Sequence, residues 1–322
     1  MRVRLRCFFL VCLLTFANLP AFAWNNIGHM AVAYIAWQNL TPAQRTRVSA
    51  LVKLNPLYSV RWSNLIPVNI TGDQRDMYLF MIAATWPDQI KGDMKDFPCD
   101  GHGNGDTVPT GEAVSLNTGY TDQCMHKYWH FVDVSYNPDG TPPHPTPAVN
   151  AEVKIDFLTG ALHGAEPDTL KSYDLVWLEH LVGDIHQPLH CVTRYTSEEP
   201  EAGDQGGNKI LIENSEKELH AYWDDVLGDK TSNLYSDARL AETVALGLPA
   251  ADATLAADSK TADWKMESVT DAEDYAYNAP IGPGFGPYPI SDGYHTNAVS
   301  VARKRVALAG VRLANLIKTI QP

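Results

Sequence analysis

The sequence predicts a mainly α protein, a single multi-helix domain carrying one short β-hairpin, and three observations predict it. Apolar residues recur at three- and four-residue spacing through most of the chain, the period of a helix face. A strand signal is confined to Lys209-Ile210-Leu211-Ile212, behind the turn Gly206-Gly207-Asn208. Hydrophobic residues make up 45% of the 322 positions, enough to bury a large core, and there is no internal repeat or low-complexity tail.

Taken in order, residues 1–23 read as a signal peptide. Arg2, Arg4 and Arg6 form a basic start, Phe8 to Phe16 an apolar run, and Ala21-Phe22-Ala23 a cleavage site. The run is too short to span a bilayer, and no later segment holds ~18 uninterrupted apolar residues. The expected product is an exported monomer without stable membrane association, spanning 24–322 and starting at Trp24. Losing three Arg and no acid takes the formal charge from −13 to −16. Such a surface grips a long nucleic-acid backbone poorly. It still permits nucleic acid as a substrate held at one point by metal ions, which invert the local field.

Residues 27–40 carry a helical apolar pattern, and Thr41-Pro42 is a cap followed by Pro at the first helical position, opening a helix to about Leu54. A further helix covers 73–84, ended before Thr85-Trp86-Pro87-Asp88. A Gly/Pro/Asp loop, 98–123, leads into His126-Lys127-Tyr128-Trp129-His130-Phe131-Val132-Asp133, where aromatic rings, imidazoles and a carboxylate interleave. A proline-rich connector, 137–147, precedes helices over 148–162 and 168–187. Beyond the strand signal come a helix at Leu219–Asp224, interrupted helix over 234–276, and a final helix over 293–318. Cys7 and Cys12 fall in the leader. Cys99 and Cys124 flank the Gly-rich loop of an exported chain and are expected to form a disulfide. Cys191 is left over, as a buried thiol or a ligand.

The chemistry concentrates in Leu178-Glu179-His180-Leu181-Val182-Gly183-Asp184-Ile185-His186-Gln187-Pro188-Leu189-His190. On a helix, His180 and Asp184 project one turn apart from one face. Pro188 ends the helix and leaves His190 to turn back toward the same cavity. His220 and Asp224 repeat the spacing on another helix. With His29, Asp88, His130 and the free amine of Trp24, the ligands exceed what one four-coordinate zinc takes. Such a set predicts a polynuclear centre, suited to hydrolysing a phosphoester. His186 carries the same ring but falls off that helix face, and is expected either to support the ligands from behind or to be structural.

Trp24-x4-His29, Trp86-Pro87-Asp88, His130-Phe131-Val132-Asp133, the His180 to His190 stretch, Gly206-Gly207-Asn208 and Leu219-His220-x2-Trp223-Asp224 occur in an order that resembles the zinc-dependent single-strand nucleases of the S1/P1 type, the group that includes mung bean nuclease. The resemblance covers essentially all of 24–322 and implies the phospholipase C/nuclease fold with three zinc ions. One ion would be held by Asp88, His130, His180 and Asp184. A second would take the amine and carbonyl of Trp24, His29 and the other oxygen of Asp184. The third would take His190, His220 and Asp224. A hydroxide bridging the first two would attack phosphorus in line. The implied substrates are single-stranded RNA and DNA, cut to 5′-nucleotides, and 3′-nucleotides. Phe131 would stack a base, Asp133 would bond its edge, and Asn208 would hold the scissile phosphate region or the shell of the cluster. Lys91 occupies the position the family gives to Arg, and lacks the bidentate fork.

Two rivals remain on the sequence alone. A bacterial-type zinc phospholipase C shares the fold and metal set, but has a longer gap from Trp to the first His and a Glu where this chain has Asp224. An exported zinc-binding protein without catalysis needs no Phe131, Asp133 or Asn208.

Overall fold

The computed structural model describes residues 24–90 and 126–320. The leader, the loop 98–123, Lys91, Cys99 and Cys124 therefore lie outside the described residues. The helices are α1 (Asn26–Gln38), α2 (Pro42–Leu54), α3 (Gly72–Ala83), α4 (Trp86–Gln89), α5 (Ala151–His163), α6 (Asp168–Asp184), α7 (Leu219–Asp224), α8 (Leu234–Leu246), α9 (Ala253–Ala257), α10 (Thr261–Asp271) and α11 (Asp292–Ile317). The strands are β1 (Val134–Tyr136) and β2 (Val192–Arg194). The mainly α expectation is met.

Local chemistry sets the helix starts. Thr41 and Gln44 close a capping box with Pro42 in the first turn of α2. Side-chain oxygens of Asn25, Asn150, Asn233 and Ser291 cap α1, α5, α8 and α11. The helix before Pro87 stops earlier than expected, at Ala83, and Pro87 sits in the first turn of the four-residue α4. Proline has no N–H to donate, so that turn is where it costs least.

The β element differs from the expected hairpin. β1 and β2 pair in parallel, Val134 with Val192 and Tyr136 with Arg194, and α5 and α6 form the crossover. A parallel pair requires such a long connection. The segment expected as a strand makes isolated bridges instead, Leu211 with Glu218 and Ile212 with Tyr288. Glu213 to Lys217 turn the chain away before a ladder can extend.

Two helices dominate the interior. α1 is buried from Ile27 to Tyr34 and again at Ala36 and Trp37, and packs against α8, α11, α3 and α6. α6 is buried at every residue from Lys171 to Asp184, with α5, α2, α11 and α1 around it. Helices buried all round hold fixed positions, because close-packed interiors leave little room to shift. A second apolar cluster gathers Leu189, Val192, Leu219, Trp223 and Tyr294.

Candidate metal centre

α1 contributes His29, α4 contributes Asp88, the turn after Lys127–Trp129 contributes His130, and α6 contributes His180 and Asp184. All five are buried. Asp184 stands between two imidazoles: Oδ1 lies 3.4 Å from His29 Nε2 and Oδ2 lies 3.1 Å from His130 Nδ1. Asp88 also faces both sides, with Oδ1 3.5 Å from His180 Nε2 and Oδ2 4.0 Å from His29 Nε2. His180 Nε2 is 3.4 Å from Asp184 Oδ2 and 3.1 Å from His130 Nδ1. The His29 and His180 rings stack at 3.8 Å between centroids.

The third group is His190, His220 and Asp224, also buried. His190 follows α6 because Gln187 adopts the extended backbone that precedes proline, and Pro188–His190 then form a tight turn. His190 Nδ1 meets the His130 carbonyl at 2.6 Å, and His220 Nδ1 meets the Gly206 carbonyl at 2.7 Å. Each Nδ1–H donates, so each Nε2 presents its lone pair in the neutral ring. These two Nε2 atoms face one another at 3.0 Å, and Asp224 Oδ2 lies 3.7 Å from that of His220. Lone pairs at that distance repel unless a cation lies between them.

The donor set fits zinc. Ligand atoms about 2.0–2.1 Å from a tetrahedral ion lie roughly 3.3 Å apart. The closest separations, 3.0 to 3.7 Å, bracket that edge. Three groups of donors, His29 with Asp88 and His180, His130 with His180 and Asp184, and His190 with His220 and Asp224, each lie within 4.8 Å of one another. Buried carboxylates need counter-charge, and divalent ions supply it.

Trp24 and Asn25 are anchored beside the third group. Trp24 is fully buried, and the Asn25 backbone N–H donates to the Asp224 carbonyl at 3.2 Å. The Asn25 side chain donates to Asp225 Oδ1 and to the Gly228 carbonyl, both at 2.6 Å. A frayed terminus makes no such contacts.

Residues not singled out from the sequence hold the ligands in place. Gln187 Nε2 donates to Asp224 Oδ1 at 2.7 Å. Gly183 leaves room for His29: a Cβ there would lie 2.7 Å from His29 Nδ1. The signal was available, since a glycine inside a helix requires a packing reason. Behind α6, Arg312 Nη1 meets His186 Nε2 at 2.9 Å, and Ser268 Oγ donates to the Ile185 carbonyl at 2.6 Å. Arg305 and Arg312 share Glu267, forming a buried charge network. Burial and the two guanidiniums hold the His186 ring well below the ordinary histidine pKa. Cys191 is a free buried thiol pushed up to about 12 by burial, which makes it a poor thiolate ligand.

Of the residues expected to contact substrate, Phe131 is half-buried with Tyr128 edge-on at 5.5 Å. Asp133 Oδ1 accepts from Thr193 Oγ1 at 2.6 Å, and burial pushes its carboxyl up to about 6. Asn208 is half-exposed and donates to the Gln205 carbonyl at 2.7 Å, within its own turn.

The sequence profile of the S1/P1 Nuclease family matches residues 24–321. Endonuclease 3 of Arabidopsis thaliana is 25% identical over 93% of this chain and 90% of its own length. Nuclease S1 of Aspergillus oryzae is 24% identical over 91% of this chain and 90% of its own. Endonuclease 5 of Arabidopsis thaliana is 30% identical over 45% of this chain and 50% of its own.

Proposed function

The chain belongs to the S1/P1 nuclease family and is a nuclease hydrolase; on that premise we propose that it is an exported enzyme holding three zinc ions, cutting single-stranded RNA and DNA to 5′-nucleotides and removing phosphate from 3′-nucleotides. The observation that supports the metal reading is the convergence of His190, His220 and Asp224 in one buried group, with the two Nε2 atoms facing one another at 3.0 Å.

Bound zinc lowers the pKa of a water and neutralises charge on phosphoryl oxygens. The protein's part is position and charge. Asp184 has one carboxylate oxygen toward His29 and the other toward His130, with Asp88 across from it beside His180, so these side chains would hold two ions. His190, His220 and Asp224 would hold a third, whose charge would stabilise the departing 3′ oxygen. The P–O3′ bond breaks as water oxygen adds to phosphorus, leaving a 5′-phosphate and a 3′-hydroxyl. Phe131 stacks the neighbouring base, worth ~1–3 kcal/mol and open only to unstacked strands. Asp133 accepts from that base, Asn208 steadies the phosphate region, and Lys91 adds positive charge to the transferred group. The amine of Trp24, freed by cleavage after Ala23, completes the site of His29.

The test is a metal count on protein beginning at Trp24, paired with assays on single-stranded DNA, RNA, 3′-nucleotides and phosphatidylcholine. Three zinc ions with cleavage of the nucleic acids support the reading. Phosphatidylcholine turnover without DNA cleavage would overturn it. Asp184→Asn should cost more activity than Asp224→Asn, since only Asp184 faces imidazoles on both sides at 3.4 Å or less.

A further inference from the structure

Asp133 has an unusual backbone for a residue with a side chain. It sits in the left-handed region at φ 59, between the His130 turn and β1. Val132 N donates to the His190 carbonyl at 2.8 Å and Val134 N to the Cys191 carbonyl at 2.9 Å, so backbone bonds on both sides tie it to the ligand segment. Strain of this kind persists only where surrounding structure over-determines it.

The side chain is fixed as well. Thr193 lies on β2, beside Ser135 of β1 in the parallel register, and its hydroxyl donates to Asp133 Oδ1 at 2.6 Å. Thr193 is itself buried. Its methyl packs on Gly203, where a Cβ would come within 2.5 Å of Cγ2, so the rotamer has no room to swing. Asp133 Oδ2 has no hydrogen bond among the described residues. Three other polar groups bear on this carboxyl: Asp204, paired with Arg194 at 3.6 Å, and the hydroxyls of Tyr195 and Tyr277.

We propose that Thr193 is a specificity-determining positioning residue, whose hydroxyl holds the Asp133 carboxylate at the angle that favours guanine over uracil at the base site. The inference rests on the reading of Phe131 and Asp133 as base contacts. An ionised carboxylate only accepts. Guanine offers it two adjacent donors, the N1–H and the N2 amine. Uracil offers one N–H flanked by two carbonyl oxygens, which repel the carboxylate. A well-placed bidentate contact discriminates by about 5- to 150-fold. The terminal torsion of Asp is broad, so a carboxyl without the Thr193 bond rotates and loses the second contact. The hydroxyl also favours the charged form, so it extends the guanine preference to lower pH.

The experiment uses zinc-containing protein beginning at Trp24. It compares hydrolysis of guanosine 3′-phosphate and uridine 3′-phosphate from pH 5 to 8, with calorimetric binding of the two 5′-monophosphates. Wild type should prefer guanine by at least five-fold. In Thr193→Val the preference should collapse through KM rather than kcat, and the pH at which it sets in should move up. Thr193→Ser should restore both, and Thr193→Ala repeats the deletion without the isosteric methyl. A wild-type ratio in Thr193→Val and Thr193→Ala, with the ratio abolished in Asp133→Asn, overturns the role of Thr193 and spares the base contact. An unchanged ratio in Asp133→Asn overturns the base contact, and the role of Thr193 with it.

Discussion

Gly183→Ala is the sharpest test of how this centre is built. On an ordinary helix the change is favourable by about 0.5–1 kcal/mol, because alanine restricts the unfolded chain and fits helical geometry. Here the new Cβ would lie 2.7 Å from His29 Nδ1 and 3.0 Å from Cε1. Comfortable contact is roughly 3.5 Å, so the ring must retreat by about 0.8 Å. The ring is also stacked on His180 at 3.8 Å, and α1 is buried against four helices, so neither ring nor helix has free space. A metal site tolerates about 0.2 Å in ligand distance. Displacing His29 by several times that should weaken the ion it faces by about 10–100-fold, the range seen when supporting contacts are lost. The assay is zinc content after dialysis against a buffered zinc series, with single-stranded DNA cleavage and thermal melting alongside. The expected result is a folded, helical protein short of one zinc, with activity down at least ten-fold. Full zinc occupancy and a wild-type rate in Gly183→Ala would refute the argument.

Removing metal should lower Tm by several degrees, with recovery on adding zinc, because the buried Asp88, Asp184 and Asp224 lose counter-charge and the His190 and His220 lone pairs are left opposed; differential scanning calorimetry with and without chelator checks this. Asn25→Ala should cost about 1 kcal/mol as a lost cap and should also reduce zinc occupancy, because Asn25 fastens the segment carrying Trp24 and His29 to Asp225 and Gly228; urea denaturation and metal analysis separate the two effects. One extra residue ahead of Trp24 should lower activity while leaving the fold intact, as read by circular dichroism. Burial, with the Glu166 charge adding to it, raises Asp174 to about 8. A raised carboxyl contributes stability that is complete below the ordinary carboxylate range and lost as pH climbs to about 8, at about 1.4 kcal/mol per pH unit at most. Asp174→Asn should therefore gain Tm over wild type as pH rises from 4 to 8, and parallel melting curves would contradict that.

The helices were legible because their signals are local. The Thr41 and Pro42 helix start, the proline after Gln187, and the four-residue spacing of His180 with Asp184 each act within one or two turns; the first and last appear where the sequence puts them, and the helix carrying His180 ends at Asp184, three residues before the expected 187. The β element was not legible in the same way. β1 and β2 are three residues each and separated by two helices, so their pairing carries no periodic signal, while the run at Ile210 to Ile212 looks like a strand and finds partners only one residue at a time. The buried arginines of α11 were hidden for a related reason. Arg305 and Arg312 are polar in any pattern count, and their place inside follows from Glu267 and His186 on other elements.

The sequence by itself determined which side chains could ligate, because imidazole and carboxylate at helical spacing is a property of the chain alone. What only the tertiary structure decided is which donors come together and what holds them. That Asp88 and Asp184 both face His29, that Gly183 makes way for its ring, and that Thr193 reaches Asp133 across a parallel strand pair all depend on contacts between distant elements. Such contacts form only when two fully buried helices, α1 and α6, are pressed together, and no local pattern encodes the distance between them.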